Sequence, residues 1–594
     1  MKAGVLAFGA IVSAAPVVAQ PASDPLAPLP QIDSPPPSAP SPAIVRPAPV
    51  TTVQAPPPNV STVTIPKDWR GVFDAIDSGN WASARAGIAT LPPGLLTPVA
   101  KAELYTARDS PAVDLPSLLS LLAEAPDLPQ AQQLATMAWK RGATTMPWYV
   151  APKATVNLGS APLRYKARPV SGEPFADQLR AALDPLIKVD DAAGAEAQLL
   201  TYAPSLSLDA RAEAATRVAF VYYVLGLDMD ARRVADTWRQ GAAGDWASQA
   251  AWISGLASWR LNDCNSAATS FQQVAALAPQ RELRAGGLYW AARAQQACKR
   301  PWAVTPLLKA AATAADAPES FYGLLARESL GMPTQLPPDR FIGFDPPIER
   351  LTNVRRATEL VRIGEPALAE EMLRHQAKIG APSEHHALIQ LAKRLDLPAA
   401  QLWLANNGQW GARSDATDRY PNPQWSPLNG WRIDPALAFG HIVQESTFRR
   451  TAVSQVGAVG LMQVRPGTAG DFARARGWPS TGSLTDPKMN LEYGQSFIEM
   501  MRRNPGTAGQ LPRVIASYNA GPLPVARWAG INDRGDPLLW IESIPYWETR
   551  YYVPAVLRNM WVYQGLNHEG TPTLKAIAEH RWPAFPTSMT HLSH

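Results

Sequence analysis

The sequence predicts an all-α protein, on three observations. From Lys67 to about residue 415 the chain is rich in Ala, Leu and Arg, with few β-branched runs. Apolar residues return at three- and four-residue steps, as in Ala285, Leu288, Tyr289 and Ala292, which is the spacing of one helix face. Turn-like segments recur at Asp228-Met229-Asp230, Asp263-Cys264-Asn265 and Lys299-Arg300-Pro301, spaced by 35 and 36 residues. That is the period of helix pairs that stack into a superhelix, because no single pair covers its own apolar face.

At 594 residues the chain exceeds one hydrophobic core, so three or more folded units are expected. Met1-Lys2 precede a short apolar stretch from Ala3 to Val18, and Val17 and Ala19 suit cleavage after Ala19. Residues 1–19 therefore read as a signal peptide, with an uncleaved N-terminal anchor as the alternative. No cysteine follows the apolar stretch, which excludes a lipid anchor on a processed N-terminal Cys, and no later segment has the ~20 uninterrupted apolar residues of a membrane span. Residues 20–66 hold 15 prolines and only three charges, Asp24, Asp33 and Arg46. Such a stretch buries too little apolar area to offset its ordering entropy and reads as a disordered, semi-extended tether.

Two cysteines occur, Cys264 and Cys298. One lies in a repeat turn and the other just before the next turn. Neighbouring repeats carry such turns on the same edge, so a Cys264–Cys298 disulfide is expected in an oxidising compartment, with two free thiols as the alternative. The tryptophans at helical spacing, Trp238, Trp259 and Trp290, read as core. Trp478, Trp528, Trp540 and Trp547 read the same way. The net charge of +5 suits an anionic polymer without naming one. Nothing forms a basic nucleic-acid stripe. The eight histidines are scattered apart from His385-His386, so no metal site and no cofactor is expected.

The texture changes near Pro421. Asp434-Pro435 reads as an N-cap followed by proline at the first helical position. A mostly apolar helix then runs to Glu445. A carboxylate at the end of an apolar helix is partly desolvated, which raises its pKa and suits a general acid. Gly460-Leu461-Met462-Gln463 supplies a tight turn, an apolar wall and an amide. Ala516 to Gly521 and Ile544 to Val553 interleave aromatics with amides and carboxylates, as a sugar-binding surface does.

Four blocks carry a family resemblance. Glu445-Ser446-x-Phe448, Gly460-Leu461-Met462-Gln463, Tyr518-Asn519-Ala520-Gly521 and Ile544 to Val553 resemble, in order, the soluble lytic transglycosylases of Gram-negative bacteria. The catalytic domain of that family is similar to goose-type lysozyme. Thr485-Asp486-Pro487 and Asn490 to Gly494 also look like the family, and Phe321 to Ala326 resembles the end of its helical superhelix. The sequence departs from the family at Val464-Arg465 and at Ser517. Arg465 reads as an exposed charge or as a contact for stem-peptide carboxylates at the rim of the site. The resemblance implies an N-terminal superhelix over residues 67–335, a helical linker over 336–420, a lysozyme-like and mainly α-helical catalytic domain over 421–565, and a tail over 566–594.

It also implies roles. Glu445 would be the sole acid–base residue. Ser446 and Gln463 would contact or orient the N-acetylmuramyl unit, and Met462 would line the groove. Tyr518 would hydrogen-bond near the reacting centre, Asn519 would support its loop, and Glu548 would contact substrate or order the site, an Arg550 pair or a cap being the alternative. His441 lies four residues before Glu445 on the same helix face, where the resemblance assigns no histidine. The implied activity is periplasmic cleavage of peptidoglycan glycan strands, leaving 1,6-anhydromuramyl ends. The alternatives are a hydrolase of the same fold and a non-catalytic glycan-binding scaffold. In either case the repeats offer a surface for envelope protein partners.

Overall fold

The computed structural model describes residues 63–337, 345–478 and 483–586. The expected signal peptide, the tether up to residue 62 and the last eight residues lie outside them. The described residues form 26 α-helices, and their one sheet is the antiparallel pairing of Val156–Asn157 with Asn407–Gly408.

The repeat turns share one local geometry. Asp190, Gly226, Asn262 and Lys299 all take a positive φ, of 58°, 78°, 60° and 59°. The residue after each sends its N–H back five positions: Asp191 to Leu186 O, Leu227 to Tyr222 O, Asp263 to Ser258 O and Arg300 to Gln295 O. This satisfies carbonyls that a helix end leaves open, and a left-handed residue makes the reversal possible. The next helices start at Ala192, Asp228, Cys264 and Pro301. Cys264 begins one helix and Cys298 follows the Arg281–Ala297 helix. The two are joined by a disulfide, with their Cα atoms 5.5 Å apart.

The apolar core divides differently from the linear order. One cluster joins buried residues between Val72 and Ala138 to others between Ile348 and Leu404. Arg356 pairs with Asp127 at 2.8 Å, and Asn353 donates to Asp127 O at 2.8 Å. The second cluster runs without interruption from the repeats, Ala176 to Leu336, into the C-terminal helices. The helices before residue 140 are thus covered by those after 345, so the 67–335 span does not share a single core. Trp290 is fully buried among the repeats, and Trp238 and Trp259 pack at their margin.

The C-terminal helices dock on the repeats through buried polar pairs. Arg164 reaches Glu542 at 2.6 Å, and Tyr322 Oη donates to the same carboxylate at 2.5 Å. Arg293 pairs with Asp536 at 2.5 Å. Phe321 stacks on Trp561 with ring centroids 5.3 Å apart. The tail packs on the neighbouring helices up to residue 586. Its helix Pro572–Ala578 is held by Trp561 Nε1 donating to Thr573 Oγ1 at 2.8 Å, and Trp582 packs edge-on against Trp540 at 5.8 Å.

Candidate active site

The helix Pro435–Glu445 starts where the sequence indicates, with Asp434 accepting from Ala436 N at 2.8 Å and proline in the first turn. It packs against the long helix Trp547–Leu566. The contact is close because Gly440 has no side chain: a Cβ there would lie 3.0 Å from Val556 O. Asn559 Nδ2 also donates to Gly440 O at 3.2 Å. After Glu445 the helix ends at Ser446, and Thr447 and Phe448 take φ of 51° and 65°. Two consecutive non-glycine residues in the left-handed region are costly and persist only where the surroundings hold them. Here the anchor is Phe448, whose ring is buried against Phe439.

This geometry leaves the Glu445 carboxyl half-buried at the helix end, facing three groups from other helices. Tyr552 Oη donates to its Oε1 at 2.5 Å. Burial pushes Glu445 up to about 7, and the nearby Glu548 carboxylate adds to the rise while the Tyr552 hydrogen bond opposes it. Tyr518 lies close enough that burial and the Glu445 charge together hold its phenol well above the usual range. A carboxyl so poised keeps its proton near neutrality, as a general acid must.

The turn below is built for its backbone. Val459 bridges to Val453 and Val464. Asn490, fully buried, accepts from Met462 N at 2.7 Å and donates to Val459 O and Leu484 O at 2.9 and 2.8 Å. Gly460 has φ +81°, and a Cβ there would meet Asn490 Nδ2 and Leu484 O at 2.3 Å. Tyr518 Oη donates to Met462 O at 2.6 Å, tying this turn to the Leu511–Ala520 helix.

The predicted site residues are not all arranged alike. Gln463, at φ 48°, commits its amide N–H groups to Gly460 O and Ala452 O at 2.9 and 3.2 Å. Asn519 accepts from Thr549 Oγ1 at 2.6 Å and reaches the exposed Glu548 at 3.5 Å. Two of the predicted site residues point inward. Ser446 is buried, and its hydroxyl turns back to Ile442 O at 3.4 Å, because the chain reversal at Thr447 swings it inward. Met462 does not line the surface. Its thioether is fully buried in the space that Gly494, lacking a side chain, leaves open.

Sequence reasoning singled out neither Tyr552 nor the contacts of His441. Tyr552 stands one turn after Glu548 on the same helix, so the four-residue step linking them was a usable signal. His441 is fully buried and its Nδ1 lies 2.7 Å from Tyr552 Oη. Elsewhere, His386, Asp415 and Asp418 converge with ligand atoms within 4.8 Å of one another. They are engaged in a hydrogen-bonded network: His386 Nδ1 reaches Asp345 at 2.9 Å, and Asp418 accepts from Asp415 N at 3.0 Å.

The fold is thus a helical array joined to a helical domain that presents a raised-pKa glutamate near two tyrosines. Residues 426–541 match the Transglycosylase SLT domain. The chain is 36% identical over 158 residues to the soluble lytic murein transglycosylase of Escherichia coli K12, covering 25% of this chain and 24% of that protein. It is 35% identical over 160 residues to the endo-type membrane-bound lytic murein transglycosylase A of Klebsiella pneumoniae strain 342, covering 24% of this chain and 79% of that protein. The chain belongs to the lytic murein transglycosylase family, although its match spans only about a quarter of the E. coli enzyme.

Two solved structures share the fold over most of the chain. An inactive mutant of the lytic transglycosylase Slt from Pseudomonas aeruginosa superposes with TM-score 0.52 at 19% identity, over 87% of this chain and 88% of that one. The 70-kDa soluble lytic transglycosylase in complex with bulgecin A gives TM-score 0.54 at 17% identity, over 86% and 98%. Among the described residues no helix is long and apolar enough to cross a membrane.

Proposed function

We propose that this chain is an exported peptidoglycan lytic transglycosylase acting in the periplasm. It cleaves the β-1,4 bond between N-acetylmuramic acid and N-acetylglucosamine, with Glu445 as its single acid–base group. The observation that carries the proposal is the Glu445 carboxyl, raised to about 7 by burial and held at Oε1 by Tyr552. Residues 421–565 are the catalytic domain on this reading.

Protonated Glu445 donates to the glycosidic oxygen. The substrate's N-acetyl group stabilises the cationic carbon. Glu445, now a base, takes the proton of the C6 hydroxyl, whose oxygen closes onto C1 and leaves a 1,6-anhydromuramyl end. The nucleophile is part of the substrate, so its effective concentration is high and no water need be recruited. Tyr552 supplies a donor to the carboxylate once its proton has left.

Glu548 favours a second reading. It is exposed, and close enough to affect Glu445 electrostatically. A hydrolase uses a second carboxylate to activate water or to attack. Digestion of purified peptidoglycan by residues 20–594, beside Glu445→Gln, separates the two through mass spectrometry of the soluble muropeptides. Anhydro-ended products from the parent and none from the variant are expected. Products heavier by one water would make the protein a hydrolase, and activity surviving in Glu445→Gln would remove Glu445 from the chemistry.

A further inference from the structure

We propose that His441 is a positioning residue: it fixes the direction of the hydrogen-bond chain His441–Tyr552–Glu445, and so keeps the transferable proton on Glu445 Oε2. The inference rests on the acid–base role given to Glu445 above.

The geometry is a line of three groups. His441 Nδ1 lies 2.7 Å from Tyr552 Oη, and Tyr552 Oη lies 2.5 Å from Glu445 Oε1. Tyr552 has one proton, so the chain runs in one of two directions. If His441 carries its proton on Nδ1, it donates to Tyr552, Tyr552 donates to Oε1, and the acidic proton has only Oε2 to occupy. If His441 carries it on Nε2, Tyr552 must turn to donate to Nδ1, and Glu445 is then held by donating its own proton from Oε1 into the protein.

Burial selects the first direction. His441 Nε2 is buried with no hydrogen-bond partner among the described residues. A proton on Nε2 would therefore bury an unpaired N–H, whereas the Nδ1–H form leaves only an unpaired lone pair and satisfies every donor in the chain. The imidazole is neutral throughout the working range, since burial pushes it down to about 3. It thus has a single N–H to place. Its ring is fixed by the Tyr518 ring, centroid to centroid 4.5 Å.

The groups facing Glu445 are Tyr552 and Glu548 from the Trp547–Leu566 helix, Tyr518 from the Leu511–Ala520 helix, and His441 from its own helix. Among the described residues only Tyr552 hydrogen-bonds the carboxyl, so whatever orients Tyr552 orients the acid. Protons balance without loss: Oε2 gives its proton to the leaving oxygen and regains one from the C6 hydroxyl. The His441 and Tyr552 protons stay where they are.

The test compares His441→Leu, His441→Asn, His441→Gln, Tyr552→Phe, His441→Leu/Tyr552→Phe and Glu445→Gln in the full chain. The readouts are kcat, KM and the pH profile on soluble, un-cross-linked glycan strands, with melting temperature followed in parallel. The Asn amide can reach the Nδ1 position, and the Gln amide overshoots it. His441→Leu and His441→Gln are expected to lower kcat about tenfold with KM little changed. Both should move the alkaline limb upward, because nothing then holds Tyr552 as a donor to the carboxylate. His441→Asn should recover most of the rate, and His441→Leu should cost nothing further once Tyr552 is Phe. An unmoved alkaline limb, or losses that multiply in the double variant, would overturn the proposal. Should Glu445→Gln remain active, the acid–base assignment itself falls.

Discussion

Replacing Glu445 by Gln should stabilise the protein above neutrality while abolishing its activity. Burial raises the folded-state pKa of Glu445 from 4.5 to about 7. The folded chain therefore holds a proton that the unfolded chain gives up between those values, and stability falls as pH rises through the window. At about 1.4 kcal/mol per unit, the loss between pH 5 and pH 8 is about 2–3 kcal/mol. The amide introduced by Glu445→Gln does not titrate and keeps an acceptor for Tyr552, so the variant escapes that loss. Urea unfolding of the full chain and of Glu445→Gln at pH 5 and pH 8 measures it. The stability difference should swing in favour of the variant by about 2–3 kcal/mol on going to pH 8. A difference independent of pH would refute the claim that Glu445 is desolvated, and with it the case for a poised acid.

The rate of glycan cleavage should fall as pH rises through about 7, where Glu445 loses its proton; a profile flat from pH 5 to 9 would contradict this. Gly460→Ala should cost about 2–4 kcal/mol in a melting experiment, since the new methyl meets backbone and Asn490 at a positive φ. Arg164→Met should destabilise by about 3–5 kcal/mol, because it strands the buried Glu542 carboxylate. Reduction of the Cys264–Cys298 bond, which closes a 34-residue separation, should lower stability by about 3–4 kcal/mol on the chain-entropy estimate, followed by calorimetry with and without reductant.

Much of the architecture was legible because its signals are local. The period of the array shows in the sequence because each repeat reverses through a left-handed residue with the same backbone bond, and Asp, Asn, Lys and Gly leave a trace there. Glu445 was legible as the last residue of an apolar, proline-started helix. The partition of the core was not, because Asp127 meets Arg356 across 229 positions and no local pattern encodes that contact. Side-chain direction at the site was hidden for a related reason. Ser446 turns inward because Phe448 must be buried two residues later, and Met462 turns inward because Gly494, on another helix, leaves room. His441 was visible as a neighbour of Glu445, but its partner Tyr552 lies 111 residues away.

The two-part origin of the first apolar cluster constrains how the chain acquires its structure. Helices between Trp69 and Lys140 emerge first, yet their apolar cluster is completed by residues from Ile348 onward. More than two hundred intervening residues must be made before that surface can close. Contacts of such high sequence separation fold slowly and leave apolar faces open to association in the meantime. The repeats from Ala176 onward build on nearest neighbours and can assemble as they appear. A chain cut short before residue 345 would therefore keep its repeats and lose its beginning, with the N-terminal helices left as the sticky end.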